Sequence, residues 1–388
     1  MGIKSLIMIL ASLSFSVSAF ANMHEDGEKK PIKITNDFAG SLNFYGNEFG
    51  GGFSPDHDDF NLDLIQVQVE KHWSMSSLVV TIGYGTVADT VNFGATNNSL
   101  SLNSLNVMQA YYHMHTSYGL GFTFGKFQSP IGYETYNIMD NSQYNRSYGF
   151  SLAPYFQTGI KLDYGNDMYN AAFIVSNGAG RDSDITRAGI ADSNKSMAIA
   201  IDVDAIENLH IDLNYMTGTE GDAASAWPAF STHQINTLDF SIAYMFNEMF
   251  DAAINYIDYS QTASAPGATT EKATSIAAYV NANFGMFGLG LRYEQFNFDD
   301  GVVIRNGLVP AGSLVPPQGS PFTRNAITGE DNSIQSITLA ATAEIDQNAR
   351  VILEYKQDTS DDANVWVDAD NAPTDTQNVV TLGLNYRF

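Results

Sequence analysis

Three charged side chains, Glu134, Asp140 and Arg146, recur at six-residue intervals within one polar connection, residues 128–153. They are interleaved with Tyr133, Tyr136, Tyr144, Tyr148 and Phe150. Two acids facing one base across a narrow aqueous passage would set a transverse field, which sorts dissolved solutes by charge and size without breaking a bond. Held on an outer surface, the same side chains would only solvate a loop.

Groups able to break bonds or hold metals are sparser. Ser176, in "FIVSNGAG", has no neighbouring histidine in sequence with which to form an activated nucleophile. Carboxylates cluster in "DHDD" (56–59), "FDDG" (298–301) and "SDDANVWVDADN" (360–371). Hard cations take such oxygens, but the twelve-residue helix–loop–helix spacing is missing, so these read as solvated acidic loops. His113 and His210 stand alone and read as polar wall groups. The chain has no cysteine, which excludes disulfides and thiolate metal sites. The expectation is a non-enzymatic protein without metal or cofactor.

Those charges need elements to hold them, and the chain offers strands. About sixteen segments of ten to thirteen residues alternate with period two, from 36–47 to 377–388. In "KSMAIAIDVD", Met197, Ile199, Ile201 and Val203 oppose Ala198, Ala200, Asp202 and Asp204. Tight connections ("SMSS", "TSYG", "GND", "AIEN", "FNEM", "FGM", "DQN") take strict turns with long polar ones. Such alternation suits a closed barrel with turns at one rim and loops at the other. Trp73, Tyr118, Tyr164, Tyr169, Phe246, Phe250, Phe284 and Phe287 sit beside the tight turns, where an interfacial girdle belongs.

Composition agrees. Charged residues make up only 16%, well below the soluble norm, while 20 Tyr and 24 Phe are present. A net charge of −25 argues against nucleic acid. At the start, "MGIKSLIMILASLSFSVSAFA" has a lysine, a short apolar core and the triplet Ala19-Phe20-Ala21, the pattern of a secretory signal cleaved near Ala21. The expected organisation is a signal peptide at 1–21, a periplasmic tail at 22–35 and a transmembrane antiparallel up-and-down β-barrel at 36–388.

Within that barrel, parity places Glu70, Asp163, Asp202, Asp212, Asp239, Glu294, Glu344 and Glu354 toward the lumen. The inward bases are Lys161, Arg292, Arg350, Lys356 and Arg387. Acids outnumber bases, which favours cations weakly. Opposed residues such as Arg292 and Glu294 also read as structural wall pairs without a net field.

The terminal "TLGLNYRF", with Gly383, Tyr386 and Phe388, resembles the C-terminal assembly signal of outer-membrane proteins. The resemblance implies insertion by the barrel-assembly machinery. "GKFQSPIGYE" (125–134), "YNRSYGF" (144–150) and "PYFQTGIKLDY" (154–164) resemble the OmpL-like family of outer-membrane porins. That resemblance implies a pore-forming barrel and transfers no catalytic residue. The reading is therefore an outer-membrane porin of a Gram-negative bacterium, embedded in lipid and lipopolysaccharide as a monomer or homotrimer. It would pass small hydrophilic solutes and ions. The alternative is a barrel whose long loops serve adhesion or receptor binding.

Overall fold

Period-two alternation makes a strand that is apolar on one face, and a row of such strands can bury its backbone polar groups in lipid only by closing on itself. The computed structural model describes residues 31–45, 60–91, 105–179, 194–220, 233–263, 267–299, 332–361, 366–367 and 373–388. Sixteen of the described strands form one closed antiparallel barrel. In chain order they are β1 (Lys33–Tyr45), β2 (Phe60–His72), β3 (Ser76–Tyr84), β4 (Asn106–His115), β5 (Leu120–Gln128), β6 (Phe156–Gly165), β7 (Tyr169–Ser176) and β8 (Ser196–Ile206). There follow β9 (Leu209–Glu220), β10 (His233–Asn247), β11 (Phe250–Ala263), β12 (Thr270–Asn283), β13 (Phe287–Phe298), β14 (Asn332–Glu344), β15 (Ala349–Ser360) and β18 (Thr376–Arg387). The two-residue β16 (Trp366–Val367) and β17 (Pro373–Thr374) form a small ribbon in the last long connection. A short helix, α1 (Thr86–Val91), follows β3.

Each expected segment is a strand. The first begins at Lys33 rather than Asn36, because Lys33 still pairs with Glu70 across β1 and β2. The inward connection likewise runs from 129 to 155. The signal segment 1–21, the cluster 56–59 and the long connection 301–331 lie outside the described residues.

Exposure is inverted relative to a soluble domain. On β8, Met197, Ile199 and Ile201 are exposed while Ala198 and Ala200 are buried. On β18, Leu382 and Leu384 face out, and Val379, Thr381 and Asn385 face in. This is the pattern of a wall with lipid outside and a filled or aqueous lumen inside.

Tight turns are written into local chemistry. Asn166, Asn247 and Asp346 each accept two backbone N–H groups two and three residues on, which closes their hairpins. Asn208, at φ 62°, supplies the left-handed residue of the β8–β9 turn. Beside these turns all eight girdle aromatics are exposed. The barrel closes where β18 meets β1: Asn36 N–H donates to the Phe388 carbonyl at 2.8 Å, and Phe388 N–H returns a bond of 2.9 Å.

Candidate functional site

The connection 129–155 lies inside the barrel, and its own composition shows what holds it there. Its apolar residues Ile131, Leu152 and Ala153 pack with inward Ile174, Met216, Ile257 and Phe296 of β7, β9, β11 and β13. Tyr136, Ile138, Tyr144 and Phe150 join a second cluster with Ala39, Leu64 and Ile352 of β1, β2 and β15, and with α1. A segment buried this way must also satisfy its backbone groups.

Wall carboxylates do that. Glu294 on β13 accepts the amides of Tyr148 (2.9 Å) and Gly149 (2.8 Å) and the Ser275 hydroxyl (2.7 Å). Glu354 on β15 accepts the amides of Tyr144 (2.6 Å) and Asn145 (3.0 Å) and the Asn145 side chain (2.8 Å). Asp239 on β10 takes the Gly132 amide at 2.9 Å, and Asp37 on β1 takes the Asn137 side chain at 2.7 Å. Charge-assisted bonds of this kind offset the cost of burying a carboxylate. Among them sits Arg292, fully buried, donating to Glu134 (2.6 Å), the carbonyls of Asn145 (2.8 Å) and Arg146 (3.1 Å), and Thr338 (3.1 Å).

The expected confrontation of Glu134 and Asp140 with Arg146 does not form. Glu134 is buried against Arg292 of the wall. Arg146 donates to the carbonyls of Thr135, Tyr136 and Tyr144 at 2.8–3.0 Å and so braces its own loop, with burial lowering its affinity for a proton. Asp140 is half exposed and meets Arg387 of β18 at 2.8 Å. Arg292 and Glu294 do not form the expected wall pair either, since each is spent on the loop. Tyr136 is buried, with its hydroxyl on Gln66 at 2.8 Å. Tyr133 stacks obliquely on Tyr279 of β12 at 4.7 Å, and burial pushes its hydroxyl pKa up to about 12.

Most of the remaining wall charges lie nearer the tight turns, with Lys356 and Asp358 toward the other end of β15. Glu70 contacts Lys33 and His72, and Asp202 accepts from Asn170. Asp212 accepts from Ser241 at 2.6 Å. Both nitrogens of His210 meet carboxylates, Asp204 at 2.7 Å and Asp212 at 2.9 Å. Lys161 lies 5.9 Å from the Phe127 ring, Asp163 shares its inner parity on β6 opposite Gly121, and Glu344 lies at the exposed end of β14. Arg350 donates to the carbonyls of Ile138 and Asn141, and Lys356 pairs with Asp358 at 3.0 Å. His113 bonds Thr123. Ser176 donates to the Gly178 carbonyl. Among the described residues no cluster of three His, Asp or Glu could hold a metal ion.

Parity reasoning could have found inward Asp37, Asp251 and Asp358. It could not have found Asp63 and Leu64 buried side by side, because a register shift opposite Ala39 and Gly40 turns both inward.

The family model described as "Putative beta-barrel porin-2, OmpL-like" matches residues 35–388. The chain belongs to that family. Solved outer-membrane proteins share its fold: an anion-selective porin from Comamonas acidovorans aligns with TM-score 0.60 at 12% identity, covering 92% of this chain and 99% of that one. The outer-membrane channel DcaP of Acinetobacter baumannii aligns at 0.57 and 11%, covering 92% and 97%. A trimer form of OmpT from Vibrio cholerae aligns at 0.58 and 10%, covering 92% and 99%. No curated protein matches. This family member is thus an outer-membrane β-barrel with a porin fold.

Proposed function

We propose that the barrel is a passive diffusion channel for small hydrophilic solutes and ions, with a weak preference for cations. The observation that carries this reading is the charge left over once the inward loop has taken its share. Glu134, Glu294, Glu354 and Arg292 are consumed in holding the loop. Toward the tight-turn end, Asp202, Asp204 and Asp212 on β8 and β9 stand with a single partner base among the described residues, His210. Halfway round the ring, at β18 and β1, Arg387 is offset by Asp37 and Asp140. The mouth is therefore acidic on both sides and more so at β8 and β9, which concentrates cations there. A closed sixteen-strand wall is wide enough to leave an aqueous path beside a loop.

The chemistry required is passive, without a catalytic or metal centre. The outward aromatics suit lipid and lipopolysaccharide, and the terminal strand suits delivery by the barrel-assembly machinery after signal cleavage near Ala21. A trimer form of one fold neighbour supports a homotrimer over a monomer. The anion selectivity named for the Comamonas porin belongs to that protein.

Reversal potentials of the purified protein in a planar bilayer under a salt gradient test the reading. Wild type should favour cations, and D202N/D212N should reduce that ratio. The difference should shrink at molar salt, where the Debye length is about 3 Å. A wild type without conductance would overturn the channel reading. An unchanged ratio in the double variant would move the selectivity elsewhere.

A further inference from the structure

Gly383 of β18 faces inward between the outward side chains of Leu382 and Leu384. A Cβ placed on it would lie 2.5 Å from Cδ2 of Tyr144 and 3.2 Å from Cζ. The tyrosine ring from the inward loop occupies the space that any other residue would fill. Both ends of Tyr144 are held: its amide donates to Glu354 on β15 at 2.6 Å, and its hydroxyl donates to Asp63 on β2. In ring order β15, β18, β1 and β2 are consecutive, so Tyr144 spans four strands and crosses β18 at the residue without a side chain. Gly290 of β13 offers a contrast. A Cβ there would meet Gln143 Nε2 at 3.0 Å, the free end of a flexible side chain.

We propose that Gly383 is a positioning residue of the channel: its missing side chain sets how close the loop sits to the wall, and hence how wide the remaining path is. This rests on the channel reading above. It adds a second role to a residue that also belongs to the terminal assembly pattern. An alanine would push the ring toward the barrel axis by at least about 1 Å, the gap between 2.5 Å and an ordinary carbon contact.

The test is a cycle of G383A, Y144A and the double variant in the full-length protein, with G290A as control. Single-channel conductance and urea unfolding midpoints are read in parallel. G383A should lose conductance and unfold at lower urea, whereas the same change in the Y144A background should do neither, and G290A should match wild type. If G383A alone fails to assemble, Y144A/G383A should recover the heat-modifiable barrel. The proposal is overturned if G383A behaves as wild type, if its effects persist in full without Tyr144, or if the double variant fails to assemble where Y144A succeeds. A non-conducting wild type would remove the channel reading, and the unfolding midpoints would still decide the seat.

Discussion

Arg292 of β13 and Glu134 of the inward loop meet at 2.6 Å with both side chains shut off from solvent. The pair joins wall to loop across 158 residues of sequence. It also fixes where the Glu134 carboxylate is held, against the wall rather than against Arg146. Removing one partner leaves an uncompensated buried charge. R292M alone should therefore cost about 3–5 kcal/mol, while R292M combined with E134L should cost much less. Urea titrations of the refolded barrel in detergent measure both, and E134L alone. A loss in the double variant equal to the sum of the R292M and E134L losses would show that the two charges are not coupled.

The terminal residue closes the wall. Phe388 exchanges two backbone bonds with Asn36, and its ring lies 5.4 Å from that of Tyr386. Deleting Phe388 removes both bonds at the β18–β1 seam together with one girdle contact. Secretion should continue, while the heat-modifiable band in the outer membrane should be lost. A truncated chain that accumulates as folded barrel would show that the seam tolerates a missing pair.

Four tyrosines of the inward loop, Tyr133, Tyr136, Tyr144 and Tyr148, have hydroxyls pushed above the ordinary phenol range, chiefly by burial. A raised folded pKa means the neutral form is favoured in the folded state. Its stabilisation is complete below the unfolded value near 10 and is lost as pH climbs through the folded value, about 12 for Tyr133. Barrel stability should thus fall between pH 10 and 12, and Y133F should remove the Tyr133 share of that fall. Absorbance at 295 nm should show exposed tyrosines ionising first. Simultaneous ionisation of all tyrosines would place these side chains in water.

Much of the wall was legible along the chain. The period-two faces of β8 and β18, the Asx residues at the tight turns and the girdle aromatics depend on neighbours within a few positions. Parity also identified Asp202, Asp212, Glu294 and Glu354 as inward. What each inward charge would meet was not legible. Glu294 and Arg292 sit two residues apart on one strand and looked like partners, yet both turn to a loop about 145 residues away.

The sequence by itself determined that this protein is a closed, lipid-facing barrel, because alternation and turn chemistry are local and a strand wall in lipid has no stable open form. Only the tertiary structure decided that Glu134 answers Arg292, that Arg146 braces its own loop and that Gly383 makes room for Tyr144. Each of those outcomes depends on how deeply one segment enters a closed ring. That depth follows from packing between residues brought together only by the closure.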